Sequence, residues 1–151
     1  MLLFTDTNVL ISATDISSAT HEQALFALEE LPSYGVALYT CTQVLREYLV
    51  VATRPLAANG LGLGQKAALD NLEEFTRVIH VLPETLKTWE KTKSLIAAVN
   101  ASGKRIHDVS LIACALSNGI ENILTNNTTD FSQLPIKPVP LKTVRDMAQQ
   151  Q

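Results

Sequence analysis

The stretch that decides the fold is "MLLFTDTNVLI", residues 1–11, in which a short apolar run ends in four polar residues. The "LLF" segment at 2–4 has the length and apolar character of a buried strand. The residues "TDTN" at 5–8 follow at once, and apolar residues then resume. Because ligand sites of parallel sheets lie outside the carboxyl ends of the strands, this polar cluster indicates a functional site.

The composition is that of one globular domain, which we expect to span residues 1–151. Hydrophobic residues make up 46% of the chain and charged residues 18%, which excludes disorder. No apolar run approaches the roughly 20 residues of a membrane helix, and the N-terminus resembles no secretion signal. Cys41 and Cys114 lie in apolar segments without a C-x-x-C pair, so we expect buried free thiols and a cytoplasmic protein.

The net charge of −3 argues mildly against general attraction to nucleic acid. A nucleic-acid substrate would have to be held by a local basic rim, a bound metal ion or the charge of a partner. Four basic residues flank the acidic motifs and are candidates for such contacts, although they could equally be solvated surface charges. They are Arg46, Arg54, Lys104 and Arg105.

Short apolar strands alternate with helical patterns along the chain. Strands are predicted at 2–4, 35–41, 79–83, 122–127 and 135–140, and helices at 21–31, 42–55, 65–78, 84–99, 107–119 and 141–151. This alternation is typical of a three-layer α/β/α fold with a central parallel sheet. The helix at 107–119 is apolar almost all round and should be buried. Trp89, the only tryptophan, is expected in the core.

Acidic and amide residues occur where such a fold would gather them. Asp6 follows the first strand, Glu47 lies in the helix after the second, Asp108 begins an apolar helix, and Asn127 and Asp130 follow the "ILT" strand. Carboxylates that converge in a cleft repel one another unless a cation is bound. Oxygen ligands without a Cys or His pattern favour Mg²⁺ or Mn²⁺, and such an ion can activate water for attack on phosphorus.

Each of these residues also has a purely structural explanation. Asp6 and Asn127 could serve turns or caps, and Glu47 could face solvent on its helix. Asp108 stands where a helix N-cap would stand, and Asp130 could be an ordinary loop carboxylate. Spacing alone does not choose between the structural and the functional explanation.

Four blocks of the sequence together resemble the PIN-domain family, in particular the VapC-like ribonucleases of bacterial toxin–antitoxin systems. The blocks are "FTDTNVLI" at 4–11, "VLREYLVVATRP" at 44–55, "HDVSLIACAL" at 107–116 and "ILTNNTTDF" at 123–131. They occur in the family's order and span nearly the whole chain. The resemblance implies a PIN-like α/β/α domain and endonuclease action on RNA with Mg²⁺ or Mn²⁺.

The resemblance also implies roles for individual residues. Asp6, Glu47 and Asp108 match the three main acidic positions of the family. The fourth position, two residues after the threonine of the "LT" strand end, is Asn127 here, and Asp130 is the nearest acid. A supporting role for the polar residues around Asp6 follows in the same way. These residues are Thr5, Thr7 and Asn8.

For the reaction, the matched positions imply that Asp6 and Asp108 ligate a metal ion. Glu47 would bind a second ion or orient the attacking water, and the products would be a 5′-phosphate and a 3′-hydroxyl. The resemblance further implies a cognate antitoxin, which in this family inserts into the active-site groove, and a homodimer.

Two alternatives come from other functional classes. A haloacid-dehalogenase-like phosphatase also has an acid after its first strand, but it needs a D-x-D pair, and the second position here is Asn8. The chain could also be a catalytically weak PIN-like module that binds RNA or protein, its metal site weakened by Asn127. Metal affinity separates a binding module from an enzyme.

Overall fold

The computed structural model describes residues 1–149 and places five parallel strands in one central sheet. The strands are β1 Leu2–Thr5, β2 Ala37–Cys41, β3 Ile79–Leu82, β4 Asn122–Thr125 and β5 Lys137–Pro140. Their order is β3-β2-β1-β4-β5, with Leu3 opposite Leu38 and Phe4 opposite Ile123. β1 is therefore the central strand. Leu3 and Phe4 are fully buried, as the apolar run predicts, whereas Leu2 at the start of the strand is exposed.

Seven α-helices are present in the described part of the chain. They are α1 Thr7–Thr14, α2 His21–Glu29, α3 Thr42–Thr53, α4 Gln65–Val78, α5 Leu86–Val99, α6 Arg105–Ser117 and α7 Val144–Ala148. Six of them correspond to predicted helices. α1 was not predicted, and it begins immediately after Asp6, whose side chain caps it.

The connections determine which helices cover which face of the sheet. The chain moves from β1 to β2 to β3 through α1–α4 and then returns across the sheet to β4 through α5 and α6. Because parallel crossovers are right-handed, the two directions of travel place α1–α4 on one face and α5–α6 on the other. The predicted three-layer α/β/α arrangement is confirmed.

The reversal of strand order creates a crevice between the carboxyl ends of β1 and β4. The segment that follows β1 leads to β2 on one side, and the segment that follows β4 leads to β5 on the other side, so the two segments diverge. Asp6 directly follows β1, and its backbone N–H donates a 3.1 Å hydrogen bond to the carbonyl of Leu124 in β4. Crevices at such switch points are where parallel sheets bind ligands.

The start of α6 differs from the prediction. This helix begins at Arg105, two residues before the predicted start at 107, and its N-cap is Lys104. Asp108 therefore lies in the first turn of the helix and is not the N-cap, so capping does not account for an aspartate there. Six of the 13 residues of α6 are buried, all of them between Val109 and Ala115, where the sequence is most apolar.

The C-terminal helix is shorter than predicted. Within 141–151, a 3₁₀ turn at Leu141–Thr143 precedes α7, which ends at Ala148. The last two residues of the predicted helix lie outside the described part of the chain.

The prediction that Trp89 lies in the core is wrong, because 53% of its surface is exposed. The buried residues of α5 are Thr88, Thr92 and Leu95. Thr92 donates its hydroxyl to the carbonyl of Thr88 at 2.9 Å, so it is buried without an unsatisfied polar group. The helix thus turns a partly polar face inward and leaves Trp89 on the surface.

Cys41 and Cys114 are buried free thiols, as predicted. Among the helices of residues 1–149, none has the length and apolar character needed to cross a bilayer.

Candidate active site

Asp6 is the most constrained carboxylate of the crevice. Its Oδ1 accepts a 2.7 Å hydrogen bond from the backbone N–H of Thr7, and its Oδ2 accepts bonds of 2.7 Å from both Asn8 Nδ2 and Thr125 Oγ1. The side chain caps α1 and also lines the crevice, so Asp6 has both the structural and the functional role that the sequence suggested.

Burial makes Asp6 an unusual acid. The residue is only 7% exposed, and this desolvation is the main reason why its pKa is raised to about 6. The hydrogen bonds from Thr125 and Thr7 lower the pKa, whereas the nearby charges of Glu47 and Asp108 raise it further. A shift of this kind is typical of a functional site in a cleft.

Glu47 is held by two donors from different parts of the chain. Thr7 Oγ1 donates to Glu47 Oε2 at 2.9 Å, and Gln43 Nε2 donates to Glu47 Oε1 at 2.8 Å. Gln43 Nε2 also contacts the carbonyl of His107 at 3.2 Å, which joins α3 to the start of α6. Glu47 therefore points into the crevice and is not a solvent-facing helix residue.

Asp108 enters the crevice from α6 and is partly exposed. Burial is the largest cause of its raised pKa, and the charge of Asp130 is the next. Arg105 opposes this shift, and Glu47 adds to it. The charges of Asp130 and Glu47 thus raise the pKa of Asp108, just as the charges of Glu47 and Asp108 raise that of Asp6.

Asp130 lies in the 3₁₀ turn Thr128–Phe131, which follows β4. Asn127 Nδ2 donates to Asp130 Oδ2 at 2.6 Å, and Asn127 Oδ1 accepts from Thr129 Oγ1 at the same distance. Asp130 lines the crevice together with the other three carboxylates, whereas Asn127 is not among the lining residues. Asn127 thus contacts the acid that lies nearest the fourth position.

The four carboxylates surround one cavity of about 250 Å³, which we name the acidic cavity. Its other lining residues are Thr7, Asn8, Ile11, Val51, Leu111 and Phe131. Within residues 1–149, no three Asp, Glu, His or Cys side chains converge closely enough to ligate one ion as they stand. The donors are nevertheless all oxygen, and a cation would offset the cost of placing several carboxylates in a partly desolvated cleft. The residues therefore fit a hard divalent cation.

Of the three residues predicted to support Asp6, two contact it and one does not. Thr7 and Asn8 contact Asp6 directly, and Asn8 Oδ1 also accepts a 2.9 Å bond from the backbone of Asn126. Thr5 is fully buried, and its hydroxyl has no hydrogen-bond partner among the described residues. Because Asn8 acts as an amide donor to Asp6, it does not supply the second acid of a D-x-D phosphatase.

Two residues that hold the carboxylates were missed by the sequence analysis, namely Gln43 and Thr125. Gln43 lies four residues before Glu47 on the same face of α3, and this spacing could have indicated the contact. Thr125 ends β4, and its hydroxyl reaches Asp6 across 119 residues of sequence, so no local pattern could have found it.

The four predicted RNA-contact residues are not equivalent. Arg46 and Arg54 line a second cavity beside the acidic one, and Arg46 lies 3.7 Å from Glu84. The positive charge of Arg105 lowers the pKa of Asp108, and its guanidinium donates a 3.3 Å hydrogen bond to the backbone carbonyl of Asp130. Lys104 is exposed and lines neither cavity.

The PIN domain family model matches residues 3–137, and the chain belongs to this family. PIN-domain ribonucleases generally depend on divalent metal ions. Ribonuclease VapC48 of Mycobacterium tuberculosis is 28% identical over 124 residues, which cover 81% of this chain and 85% of that protein.

Solved structures of toxin–antitoxin proteins have the same fold. VapBC2 from Rickettsia felis, bound to a promoter DNA fragment, matches with a TM-score of 0.70 and 14% identity over 93% of this chain and 98% of that one. VapC20 of Mycobacterium tuberculosis, a toxin that cleaves the Sarcin-Ricin loop, matches with a TM-score of 0.64 and 18% identity, covering 86% and 93%. DNA-bound VapBC from Salmonella typhimurium matches with a TM-score of 0.68 and 20% identity, over 93% of this chain and 99% of that one.

Proposed function

We propose that the protein is a metal-dependent endoribonuclease formed by a single PIN domain over residues 1–151, and the toxin of a toxin–antitoxin pair. The observation that carries this proposal is that four carboxylates from separate elements line one cavity at the switch point of a PIN sheet. The VapC48 relative, which is named a ribonuclease, supports the assignment of the activity.

Asp6 and Asp108 would hold Mg²⁺ or Mn²⁺, with Glu47 and Asp130 contributing a second ion site or orienting water. When bound, the ion stabilises charge on the phosphate and lowers the pKa of a coordinated water. A partly aqueous ligand shell is usual for Mg²⁺, which takes one or two protein carboxylates.

The chain's own residues keep the carboxylates in position. Thr7, Asn8 and Thr125 use both oxygens of Asp6, so that its orientation is set before substrate binds. Thr7 and Gln43 do the same for Glu47. Hydrolysis forms a bond between the oxygen of a water molecule and phosphorus and breaks the bond between phosphorus and the 3′-oxygen. The 3′-oxygen takes a proton that derives from the water, so the products are a 5′-phosphate and a 3′-hydroxyl.

The partners follow from the same relatives. Structures of VapBC toxin–antitoxin complexes share this fold, which supports a cognate antitoxin for this chain. We also propose a homodimer and a cytoplasmic location, where buried free Cys41 and Cys114 would stay reduced.

The test is RNA cleavage by the wild-type protein and by Asp6→Asn and Asp108→Asn, each with Mg²⁺ and with EDTA. We expect cleavage by the wild type with Mg²⁺ alone and none by either variant. Asp70→Asn is a matched control, because Asp70 is an exposed partner of Lys66 on α4 and lines neither cavity. Unchanged cleavage by the two variants in EDTA would refute the proposal.

The alternative is a PIN module that binds RNA or protein without cutting. Titration calorimetry with Mn²⁺ separates the two functions, because an enzyme of this kind must bind the ion and a binding module need not. An absence of both Mn²⁺ binding and RNA cleavage favours the module.

A further inference from the structure

A second and larger cavity, of about 470 Å³, lies directly beside the acidic cavity. We name it the outer pocket, and it shares Thr7, Glu47 and Val51 with the acidic cavity. Its remaining lining residues are Gln43, Arg46, Val50, Arg54 and His107. The volume falls in the range of about 300–1,000 Å³ that is usual for small-molecule sites. A molecule with its reacting group among the carboxylates can therefore extend into this pocket.

The helix α3 forms the wall between the two cavities. Residues four apart are neighbours on a helix surface, so Glu47 and Val51 form one line, which lines both cavities. Arg46, Val50 and the C-cap residue Arg54 form the adjacent line, which borders the outer pocket but not the acidic cavity. The first line thus places the Glu47 carboxylate at the acidic cavity. The second line places the apolar side chain of Val50 between two arginines.

The far end of the outer pocket is held rigidly by the glycine-rich connector at 56–64. The backbone N–H of Gly62 donates to the carbonyl of Arg54 at 2.8 Å, and that of Leu61 donates to the carbonyl of Val51 at 3.0 Å. Gly60 packs so closely that a Cβ there would overlap the backbone of Arg54. These contacts satisfy carbonyls at the end of α3 and set the position of the Arg54 main chain.

The chemistry of the outer pocket matches a nucleotide. Val50 is 59% exposed, so an apolar surface lies open between two cationic side chains. Arg54 forms no salt bridge within residues 1–149, and Arg46 is only loosely paired with Glu84 at 3.7 Å. Guanidinium groups bind phosphates and stack on planar rings, whereas a base offers an apolar face. In a chain of net charge −3, two arginines beside a carboxylate cluster complement a polyanion held at that cluster.

We infer that the outer pocket binds the base of an unpaired nucleotide next to the scissile phosphate, with Arg46 and Arg54 on the flanking phosphates. A base that is paired and stacked in a helix would not present its face to Val50. The pocket therefore selects single-stranded RNA or a loop, and it determines the sequence preference at one position. This inference rests on the proposed ribonuclease function, because the carboxylates define where the phosphate lies.

The test combines an abasic scan of a cleaved RNA with a variant that fills the pocket. The RNA is prepared with a single abasic nucleotide at each position around its cleavage site, and kcat/KM is measured for each. We expect a loss of about tenfold or more at one flanking position. Val50→Phe should reduce kcat/KM for the intact RNA by a similar factor but should not reduce it further for the RNA that is abasic at that position.

Matched controls and a second assay keep the two proposals distinguishable. Val78→Phe and Arg77→Ala change residues of α4 that line neither cavity, and they should behave as the wild type. Fluorescence anisotropy with short single-stranded RNA, intact or abasic, measures binding to Asp108→Asn with and without Val50→Phe. Base-dependent binding that Val50→Phe removes would uphold the pocket even if the wild-type protein cut no RNA.

Three results would overturn this inference and leave the proposed function standing. Equal cleavage of the whole abasic series would show that no base is bound. An equal loss with Val50→Phe on intact and abasic RNA would show that the variant damages the site generally. A changed elution volume of Val50→Phe in size-exclusion chromatography would identify the pocket as a protein contact. If wild type and Asp108→Asn neither cut nor bind RNA, both proposals fail.

Discussion

Thr7 and Glu47, 40 residues apart in the sequence, are joined by a 2.9 Å hydrogen bond from the threonine hydroxyl to Oε2 of the carboxylate. The backbone N–H of the same threonine donates to Asp6 at 2.7 Å. One residue at the start of α1 therefore orients two carboxylates, one through its side chain and one through its main chain.

Replacement of Thr7 with valine should remove the contact to Glu47 and leave the backbone contact to Asp6 intact. Because a hydrogen bond to a charged group is lost, we expect the single-turnover rate of RNA cleavage to fall roughly 10- to 100-fold. Thr7→Ser, which keeps the hydroxyl, should retain most of the rate. Equal rates for the valine variant and the wild type would show that Glu47 needs no orientation by Thr7.

The raised pKa of Asp6 predicts how stability depends on pH without metal. The folded-state pKa of about 6 exceeds the unfolded value of 3.8, so the native protein binds this proton more tightly. The free energy of unfolding should therefore rise as the pH falls from about 7 to 4, by up to roughly 3 kcal/mol from this group.

Urea unfolding of the wild type and of Asp6→Asn at several pH values measures this contribution. The difference in unfolding free energy between the two should change with pH between about 4 and 7 and be constant outside that range. A pH-independent difference would show that Asp6 titrates normally in the folded protein.

Asp130 and Asn127 should differ in their importance for cleavage. Asp130→Asn removes a charge that lines the acidic cavity, so we expect a loss of roughly 10- to 100-fold in rate and weaker Mn²⁺ binding. Asn127→Ala removes the donor to Asp130 and the acceptor for Thr129 but no charge, and it should cause a smaller loss. Wild-type activity of Asp130→Asn would indicate a site of three carboxylates.

Gly60 should tolerate no side chain, because a Cβ there would overlap the carbonyl of Arg54. Gly60→Ala is expected to lower the free energy of unfolding by about 1–3 kcal/mol. At Gly64, the N-cap of α4, nothing lies within 4 Å of a Cβ, so Gly64→Ala should change stability by less than about 1 kcal/mol. Thermal unfolding monitored by circular dichroism compares the two variants, and equal melting temperatures would contradict the packing argument.

The missed helix α1 illustrates why local patterns have limits. Its sequence, "TNVLISAT", is short and rich in β-branched residues, which have low helix propensity. The helix forms because Asp6 caps it and because it packs against α2 and α3. Trp89 shows the same limit, since periodicity could not indicate that α5 buries Thr88 and Thr92, the second with its hydroxyl bonded to the carbonyl of the first.

The sequence by itself determined the alternation of strands and helices, the placement of Asp6 at the end of a central strand, and the spacing that puts Glu47 beside Val51 on α3. These features depend on hydrophobic periodicity and on chain neighbours, which a sequence contains directly.

Only the tertiary structure decided that Thr125 holds Asp6, that Asp130 and not Asn127 lines the acidic cavity, and that Arg46 and Arg54 flank a second pocket. Each of these relationships depends on the distance and orientation between elements that lie far apart in the chain. Packing of the whole core sets such geometry, so a local pattern cannot contain it.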